Sequence, residues 1–125
     1  MPTQSAQVTV GDGLVRINAT VTKTVSGNVS IEETIANAET NKLVACSFPS
    51  SGLKLMSMSS DKDITVKTNS SGSPQETFAL KANEPVLFIE GQTALLAGAV
   101  TALYITNASG SSATFKLIAG YDVTP

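Results

Sequence analysis

The segment from Val15 to Val25 alternates between apolar and polar residues. Its odd positions are apolar and its even positions are polar, and only Lys23 interrupts the apolar set. A period of two places successive side chains on opposite faces of a β-strand. Residues 26–28 then predict a turn, after which the alternation resumes from Val29 to Ile35. The two segments therefore predict a β-hairpin with one apolar face.

Further short segments with strand patterns follow, most of them separated by residues that favour turns. Leu43 to Phe48 is apolar on both faces, whereas Ile64 to Thr68 and Thr114 to Tyr121 alternate. Gly91 to Gly98 is ambiguous, because Thr93 to Ala97 could also form a helical turn. No segment holds a helical period over three turns. Eight to ten short strands predict an all-β fold, an antiparallel β-sandwich of jelly-roll-like form.

Composition indicates one domain with an uncharged polar surface. The chain has 125 residues, which is enough for a hydrophobic core without disulfide bonds. Charged residues make up only 14% of it, against about 25% in an average soluble domain. Ser and Thr take the place of the missing charges. Hydroxyl groups cost less to desolvate than ions, so such a surface is suited to assembly with a neighbour.

Charge and residue usage argue against several classes of function. The net charge is −2 and the eight Lys and Arg residues are scattered, so the basic patch that nucleic-acid binding needs is not visible. The chain has no histidine, and Cys46 is its single cysteine, which leaves no internal disulfide bond and no histidine base for a nucleophile. Cys46 lies in an apolar run and is expected in the core. No catalytic residue, cofactor or metal site is predicted, and the chain is not expected to be an enzyme.

The sequence shows no feature typical of secretion or membrane insertion. Residues 1–6 lack a basic region followed by an apolar stretch, so no signal peptide is expected. The most apolar stretch, Ala94 to Val100, is much shorter than the roughly 20 residues that span a bilayer. These features predict a soluble protein that is made in a cytoplasm and has no membrane partner.

Two close pairs of acidic residues occur in the sequence. Asp61 and Asp63 flank Lys62 and predict a turn, because a calcium loop needs further oxygen ligands and usually a glycine. Glu32 and Glu33 are neighbours on a strand, so they point to opposite faces and cannot form an acid–base pair. Glu33 is in phase with the apolar set of its strand. Either a bulge shifts the register there, or the carboxylate lies at a rim or meets a cation at an interface.

Two further motifs have both a structural and a functional interpretation. Residues 11–13, Gly-Asp-Gly, predict a turn, because neither the lysine nor the helix of a phosphate loop follows them. Tyr104 is out of phase with Leu103 and Ile105 and is predicted to be exposed. An exposed aromatic side chain on a lectin-like sandwich makes carbohydrate binding an alternative function.

The second half of the chain carries a particular order of strands and turns. From Asp63 to Phe88 it contains a strand, a turn of small residues at 68–74, a second strand, and a Lys81–Pro85 turn that enters an apolar strand. Together with Val100 to Gly110 and the ending Asp122 to Pro125, this segment resembles a family of small virion structural proteins of tailed bacteriophages. The resemblance covers about residues 28–125.

The resemblance implies a capsid decoration (cement) protein that binds the phage head surface and stabilises it. The implied partner is the major capsid protein, and the implied state is a homo-oligomer, for example a trimer, in the virion. A tail or baseplate position is the alternative. The predicted organisation is an extended N-terminal arm, residues 1–7, and a single β-sandwich domain, residues 8–125. The predicted partner-contact residues are Gln4, Gln7, Arg16, Glu33 and Tyr104.

Overall fold

A computed structural model describes residues 3–122 of the chain. These residues form ten strands and no helix, which confirms the all-β prediction, and Gly91 to Gly98 is an irregular connection. None of them belongs to a helix long and apolar enough to cross a membrane. The strands are β1 (Thr3–Gly11), β2 (Arg16–Thr24), β3 (Gly27–Ile35), β4 (Lys42–Phe48), β5 (Leu53–Ser60), β6 (Ile64–Thr68), β7 (Thr77–Leu80), β8 (Val86–Ile89), β9 (Val100–Thr106) and β10 (Ala113–Tyr121).

Eight of the strands form two four-stranded antiparallel sheets. The first sheet has the order β3-β10-β5-β8, and the second has the order β4-β9-β6-β7. Apolar side chains from both sheets belong to one buried cluster, so the sheets are arranged as in a β-sandwich. This supports the antiparallel, sandwich-like architecture that strand spacing predicted.

The core follows from the alternation along each strand. In β10, Phe115, Leu117 and Ala119 point inward and are fully buried, and they lie opposite inward residues of β5 such as Met58. The second sheet contributes the inward residues of β4, β6 and β9, among them Ile105. The strands of the two larger sheets therefore direct one row of side chains to the core and one row to the outer surface.

The predicted hairpin between Val15–Val25 and Val29–Ile35 is wrong. β2 pairs with β1 over the whole length of both strands, and β3 pairs with β10. The tight turn lies at residues 12–15, where Asp12 Oδ1 accepts hydrogen bonds from the backbone N–H groups of Leu14 (2.9 Å) and Val15 (2.8 Å). Pairing with β10 brings the inward apolar side chains of β3 over the core, which pairing with β2 would not provide.

The division predicted at residue 7 falls within a strand. Residues 3–7 are the first half of β1, while Met1 and Pro2 lie outside the described residues. β1 continues to Gly11 and forms a separate two-stranded sheet with β2. The described chain therefore consists of a hairpin followed by the eight-stranded unit of β3 to β10.

Candidate functional site

The hairpin of β1 and β2 has one apolar face and one polar face. In its register Val8 lies opposite Ala19, and Val10 lies opposite Ile17. Directly opposite residues of two paired strands share a face, so these four side chains are neighbours. The other face carries Ser, Thr, Asn and Gln side chains together with Arg16. The alternating apolar residues from Val15 to Val21 therefore form one face of the hairpin and do not belong to the buried cluster of the sandwich.

The base of the hairpin is attached to the outer surface of the first sheet. The side-chain amide of Gln4 donates a hydrogen bond to the carbonyl oxygen of Ala119 at 3.3 Å. Val25 is fully buried, and both Val25 and Gln4 pack so closely over Gly120 that a Cβ atom there would contact them. Leu55, which lies opposite Gly120 on the outer face of the sheet, is buried as well. The base is thus a small apolar contact outside the main core.

Three charged residues add an electrostatic contact beside this base. The carboxylate of Glu90 accepts hydrogen bonds from the ammonium groups of Lys54 at 2.7 Å and Lys23 at 3.3 Å. The hydrogen bond from Lys54 is the main reason why the pKa of Glu90 is lowered. The same hydrogen bond raises the pKa of Lys54. Since Lys23 belongs to β2 and Lys54 to β5, Glu90 links the hairpin to the first sheet.

The far end of the hairpin exposes large apolar side chains. Leu14 is 94% exposed, and Val15, Ile17 and Val10 are 68%, 59% and 56% exposed. We refer to these four residues as the apolar tip. The side chain of Asp12 closes the turn that presents the tip, because its carboxylate accepts hydrogen bonds from the backbone N–H groups of Val15 and Leu14. The same two hydrogen bonds lower the pKa of Asp12. Contiguous exposed apolar surface of this kind is typical of protein-interaction sites.

A groove runs along one edge of β1. Its volume is about 580 Å³, and one of its walls consists of five consecutive residues, 5–9, of β1. The remaining walls are formed by the outer face and edge of the first sheet. The lining on that side consists of Leu55, Ser57, Pro85, Leu87 and Ile118. None of the described residues that line the groove carries a charge.

The structure places three of the five predicted partner-contact residues on the hairpin. Gln4 is half-buried at the base, Gln7 is exposed on the polar face, and Arg16 is exposed next to the turn. Glu33 and Tyr104 lie elsewhere in the molecule. The hairpin therefore brings together the N-terminal candidates but does not bring them near the other two.

Glu33 lies on the inward side of β3, which is an edge strand of the first sheet. It is opposite Phe115, in an unbroken register, so the bulge considered from the sequence is not present. The side chain is half-buried at the rim, and none of the described ion pairs involves it. An inward-pointing charge on an edge strand is a common device against edge-to-edge aggregation.

Tyr104 lies on the outer face of the second sheet. It is half-exposed and has Leu43 of β4 and Lys67 of β6 as its cross-strand neighbours. Its outward direction agrees with the phase of the sequence. A single aromatic ring beside a lysine and a leucine could stack on a sugar. Among the described residues, this position of Tyr104 is the feature that favours carbohydrate binding.

Sequence reasoning missed the apolar tip. The alternation predicts a strand that contains Val15 and Ile17 and pairs with residues 29–35, and it gives Leu14 no particular position. The signal was present in Gly13, because a glycine at the first central position of a two-residue loop favours a hairpin when strand patterns lie on both sides of it. Used as a hairpin signal, it would have paired residues 3–11 with 16–24 and placed Leu14 at an exposed turn.

The acidic residues considered from the sequence have structural contacts. Asp61 accepts a hydrogen bond from the backbone of Thr114 at 2.7 Å, and Asp63 accepts one from the backbone of Ala82 at 2.8 Å. Glu32 forms an exposed ion pair with Lys116 at 3.6 Å. A shallow depression of about 480 Å³ contains both Glu32 and Asp61. Within residues 3–122, no three His, Cys, Asp or Glu side chains are grouped so that they could hold a metal ion.

Comparison with known proteins does not assign a family to this chain. No protein-family model, no curated protein and no solved structure matches it.

Proposed function

We propose that this chain is a structural protein of a bacteriophage particle, a capsid decoration protein that docks on another virion protein through the apolar tip of its hairpin. The exposure of the tip carries this proposal. Leu14 and Val15 are held on a turn that the side chain of Asp12 closes, and Leu14 is 94% exposed. A side chain of this size in water favours a partner that would cover it.

The composition of the tip matches the centre of a protein–protein interface. Such centres are apolar and poor in charges, and arginine is one of the residues enriched there. Arg16, the only arginine of the chain, lies between Val15 and Ile17 in the sequence and borders the tip from the polar face of the hairpin. Burying the exposed parts of the four apolar side chains would contribute on the order of 5 kcal/mol before the costs of association. That is sufficient for an anchor in a many-copy assembly, where avidity adds to single-site affinity.

The strand order supports a jelly-roll topology, which we propose for β3 to β10. Strands β3, β5, β8 and β10 belong to the first sheet, and β4, β6, β7 and β9 belong to the second. The chain therefore crosses between the sheets at every connection except β6 to β7, and the orders β3-β10-β5-β8 and β4-β9-β6-β7 follow from two interlocked Greek keys. Jelly rolls are frequent in viral capsid and lectin domains, so this topology is compatible with both functions considered from the sequence.

The resemblance of residues 28–125 to small tailed-phage virion proteins supports a particle component over a free lectin. That segment corresponds to the eight-stranded unit, which would be the part shared with the family. The hairpin precedes it in the chain and would be the part that specifies the docking partner.

Co-sedimentation with expanded heads of the same phage tests the proposal. The wild-type chain should bind heads and raise their resistance to heat or dilution. The double substitution Leu14→Ser, Val15→Ser should lower the affinity by about tenfold or more, because it removes most of the exposed apolar surface of the tip. The matched control is Leu43→Ser, which removes a 59% exposed leucine from the second sheet.

Three outcomes would contradict the proposal. The first is a wild-type chain that binds neither heads nor any other virion protein. The second is an equal loss of binding in Leu43→Ser and in the tip variant. The third is copies of the chain found only in tails, which would place the protein at the tail or baseplate.

Carbohydrate binding is a second candidate, which Tyr104 and its outward position favour. A glycan array with the wild-type chain and with Tyr104→Ala would test it. Binding that disappears in the variant would support this candidate, and an array without binding would remove it.

A further inference from the structure

Among residues 3–122, no strand pairs with the outer edge of β1. In the turn, the backbone N–H of Asp12 donates a hydrogen bond to the carbonyl oxygen of Val15, so these two residues form a hydrogen-bonded pair. The next pair along the ladder, Gly11 and Arg16, is therefore a non-hydrogen-bonded pair. Pairs alternate along an antiparallel ladder, so the even residues of β1 exchange hydrogen bonds with β2. The backbone N–H and C=O groups of the odd residues point away from β2. These residues are Thr3, Ser5, Gln7, Thr9 and Gly11.

The edge strands of the two larger sheets carry features that prevent association, and β1 carries none of them. β3 has the inward-pointing Glu33, β4 has a register shift after Ala45, and β7 and β8 are only four residues long. β1 has nine residues in an uninterrupted register without a charge, a proline or a bulge. A long, regular and uncharged edge is a template for another strand.

The groove beside β1 has the shape and chemistry to receive that strand. Residues 5–9 of β1 form one side of it, and Leu55, Leu87 and Ile118 lie on the other side. An added strand would pair its backbone with the edge of β1 and direct alternate side chains toward this apolar surface. Backbone pairing together with pockets for alternate side chains is how strand addition achieves both affinity and specificity.

We propose that β1 of a second copy of this chain occupies the groove, paired antiparallel with β1 about a two-fold axis. The two hairpins would then form one four-stranded sheet across the interface. A two-stranded hairpin is marginally stable in water, whereas four strands with an apolar face are stable. This inference concerns the edge of β1 and not the apolar tip, so it goes beyond the docking function proposed above.

Self-pairing is favoured by the charge pattern of β1. The nine residues of the strand and the residues that line the groove carry no charge, so no antiparallel register of two copies opposes like charges. The edge of β2 lacks this property, because β2 begins with Arg16 and contains Lys23. Pairing of two nine-residue strands with their side chains in the groove would bury on the order of 1,000 Å² in total, the size at which specific interfaces begin.

Sedimentation equilibrium of the full chain tests the proposal with a matched pair of proline variants. Gln7 and Thr20 lie opposite each other in a non-hydrogen-bonded pair, so both N–H groups point outward, one from each edge of the hairpin. We expect the wild type to be a dimer and Gln7→Pro to raise the dimer dissociation constant by about tenfold or more, because proline removes the donor and obstructs the edge. Thr20→Pro places the same ring in the same hairpin and should remain a dimer.

Amide hydrogen exchange of the wild type gives a second measurement that does not depend on how the variants fold. The N–H groups of Ser5, Gln7 and Thr9 should become protected as protein concentration rises, whereas that of Thr20 should not. A monomeric or trimeric wild type, equal weakening by both proline variants, or concentration-independent exchange at Gln7 would overturn the inference. Binding to phage heads is measured separately, so failure of the dimer and failure of the docking function are distinguishable.

Discussion

The side-chain amide of Gln4 donates a hydrogen bond to the carbonyl oxygen of Ala119 at 3.3 Å, which joins the first strand of the hairpin to the last strand of the sandwich. The other end of the same amide, Oε1, is buried without a described partner and lies against Gly120. The side chain of Gln4 is therefore packed closely against the first sheet, and only one end of its amide forms a hydrogen bond. It sets the position of the hairpin on the first sheet, and with it the position of the groove and of the tip.

Gly120→Ala should weaken this attachment. The new Cβ atom would contact Gln4 Oε1 and lie 2.8 Å from Val25 Cγ1, so both side chains must shift, at a cost of about 1–3 kcal/mol in the free energy of unfolding. Urea denaturation measures this cost. Adding Gln4→Ala should recover part of the loss, because the two residues are in contact.

Gly72→Ala is the control for that experiment. A Cβ atom at Gly72 would meet nothing within 4 Å, so this variant should unfold at the wild-type urea concentration. If Gly72→Ala lowered the free energy of unfolding as much as Gly120→Ala, the destabilisation would not arise from the hairpin contact.

Asn107→Ala should be one of the more destabilising polar substitutions in this chain. Asn107 is fully buried, and its Nδ2 donates to the carbonyl oxygens of Ile35 at 2.9 Å and Ser111 at 2.8 Å, while its Oδ1 accepts from Ser109. The substitution leaves buried carbonyl groups without donors and should cost about 3 kcal/mol, measured as a shift in the urea midpoint. Asn18→Ala removes an exposed asparagine and should cost much less. Equal costs at the two positions would contradict this account.

The contacts of Glu90 predict a dependence of stability on pH at both ends of the range. Its pKa is lowered from 4.5 in the folded state, so its contribution is present above pH 4.5 and is lost as pH falls through the folded-state pKa. The pKa of Lys54 is raised from 10.5, so its contribution is present below pH 10.5 and is lost as pH rises through the folded-state pKa. Urea midpoints of the wild type and Glu90→Gln should differ near neutral pH and converge in acid.

Glu84→Gln is the control for the pH series, because Glu84 takes part in none of the described ion pairs. Its urea midpoint should follow that of the wild type across the whole range. Added salt should reduce the difference caused by Glu90→Gln, since all three charged groups are partly exposed. A difference between the wild type and Glu90→Gln that persists unchanged in acid would contradict the prediction.

Cys46 should not react with thiol reagents while the protein is folded. The residue is buried in the core, and burial raises the pKa of its thiol to about 11, so little thiolate is present near pH 8. Labelling with a disulfide reagent should begin only as the protein unfolds. Ser73→Cys in a Cys46→Ala background places a thiol on an exposed turn and should react at once. Fast labelling of the native wild type would contradict the predicted position of Cys46.

Alternation predicted the core residues correctly in strands whose apolar face packs against the opposite sheet. The alternation of Phe115, Leu117 and Ala119 predicted the inward face of β10, and the out-of-phase Tyr104 predicted an outward ring; the structure has both. The same pattern was misleading at Val15 and Ile17, which are exposed. Alternation reports that a strand has two different faces, and it does not report whether anything covers the apolar one.

The sequence by itself determined the fold class, because a period of two and the absence of sustained helical periods permit little else than β-structure. It also determined which side chains share a face. The tertiary structure alone decided which strands pair, because many antiparallel partners satisfy the backbone of a strand equally well, and only the shared core selects β10 for β3. It likewise decided that the most regular alternation of the chain lies on a hairpin with an exposed tip. Within the described part of the chain, β2 pairs with β1 alone, and the sandwich covers only the base of that hairpin.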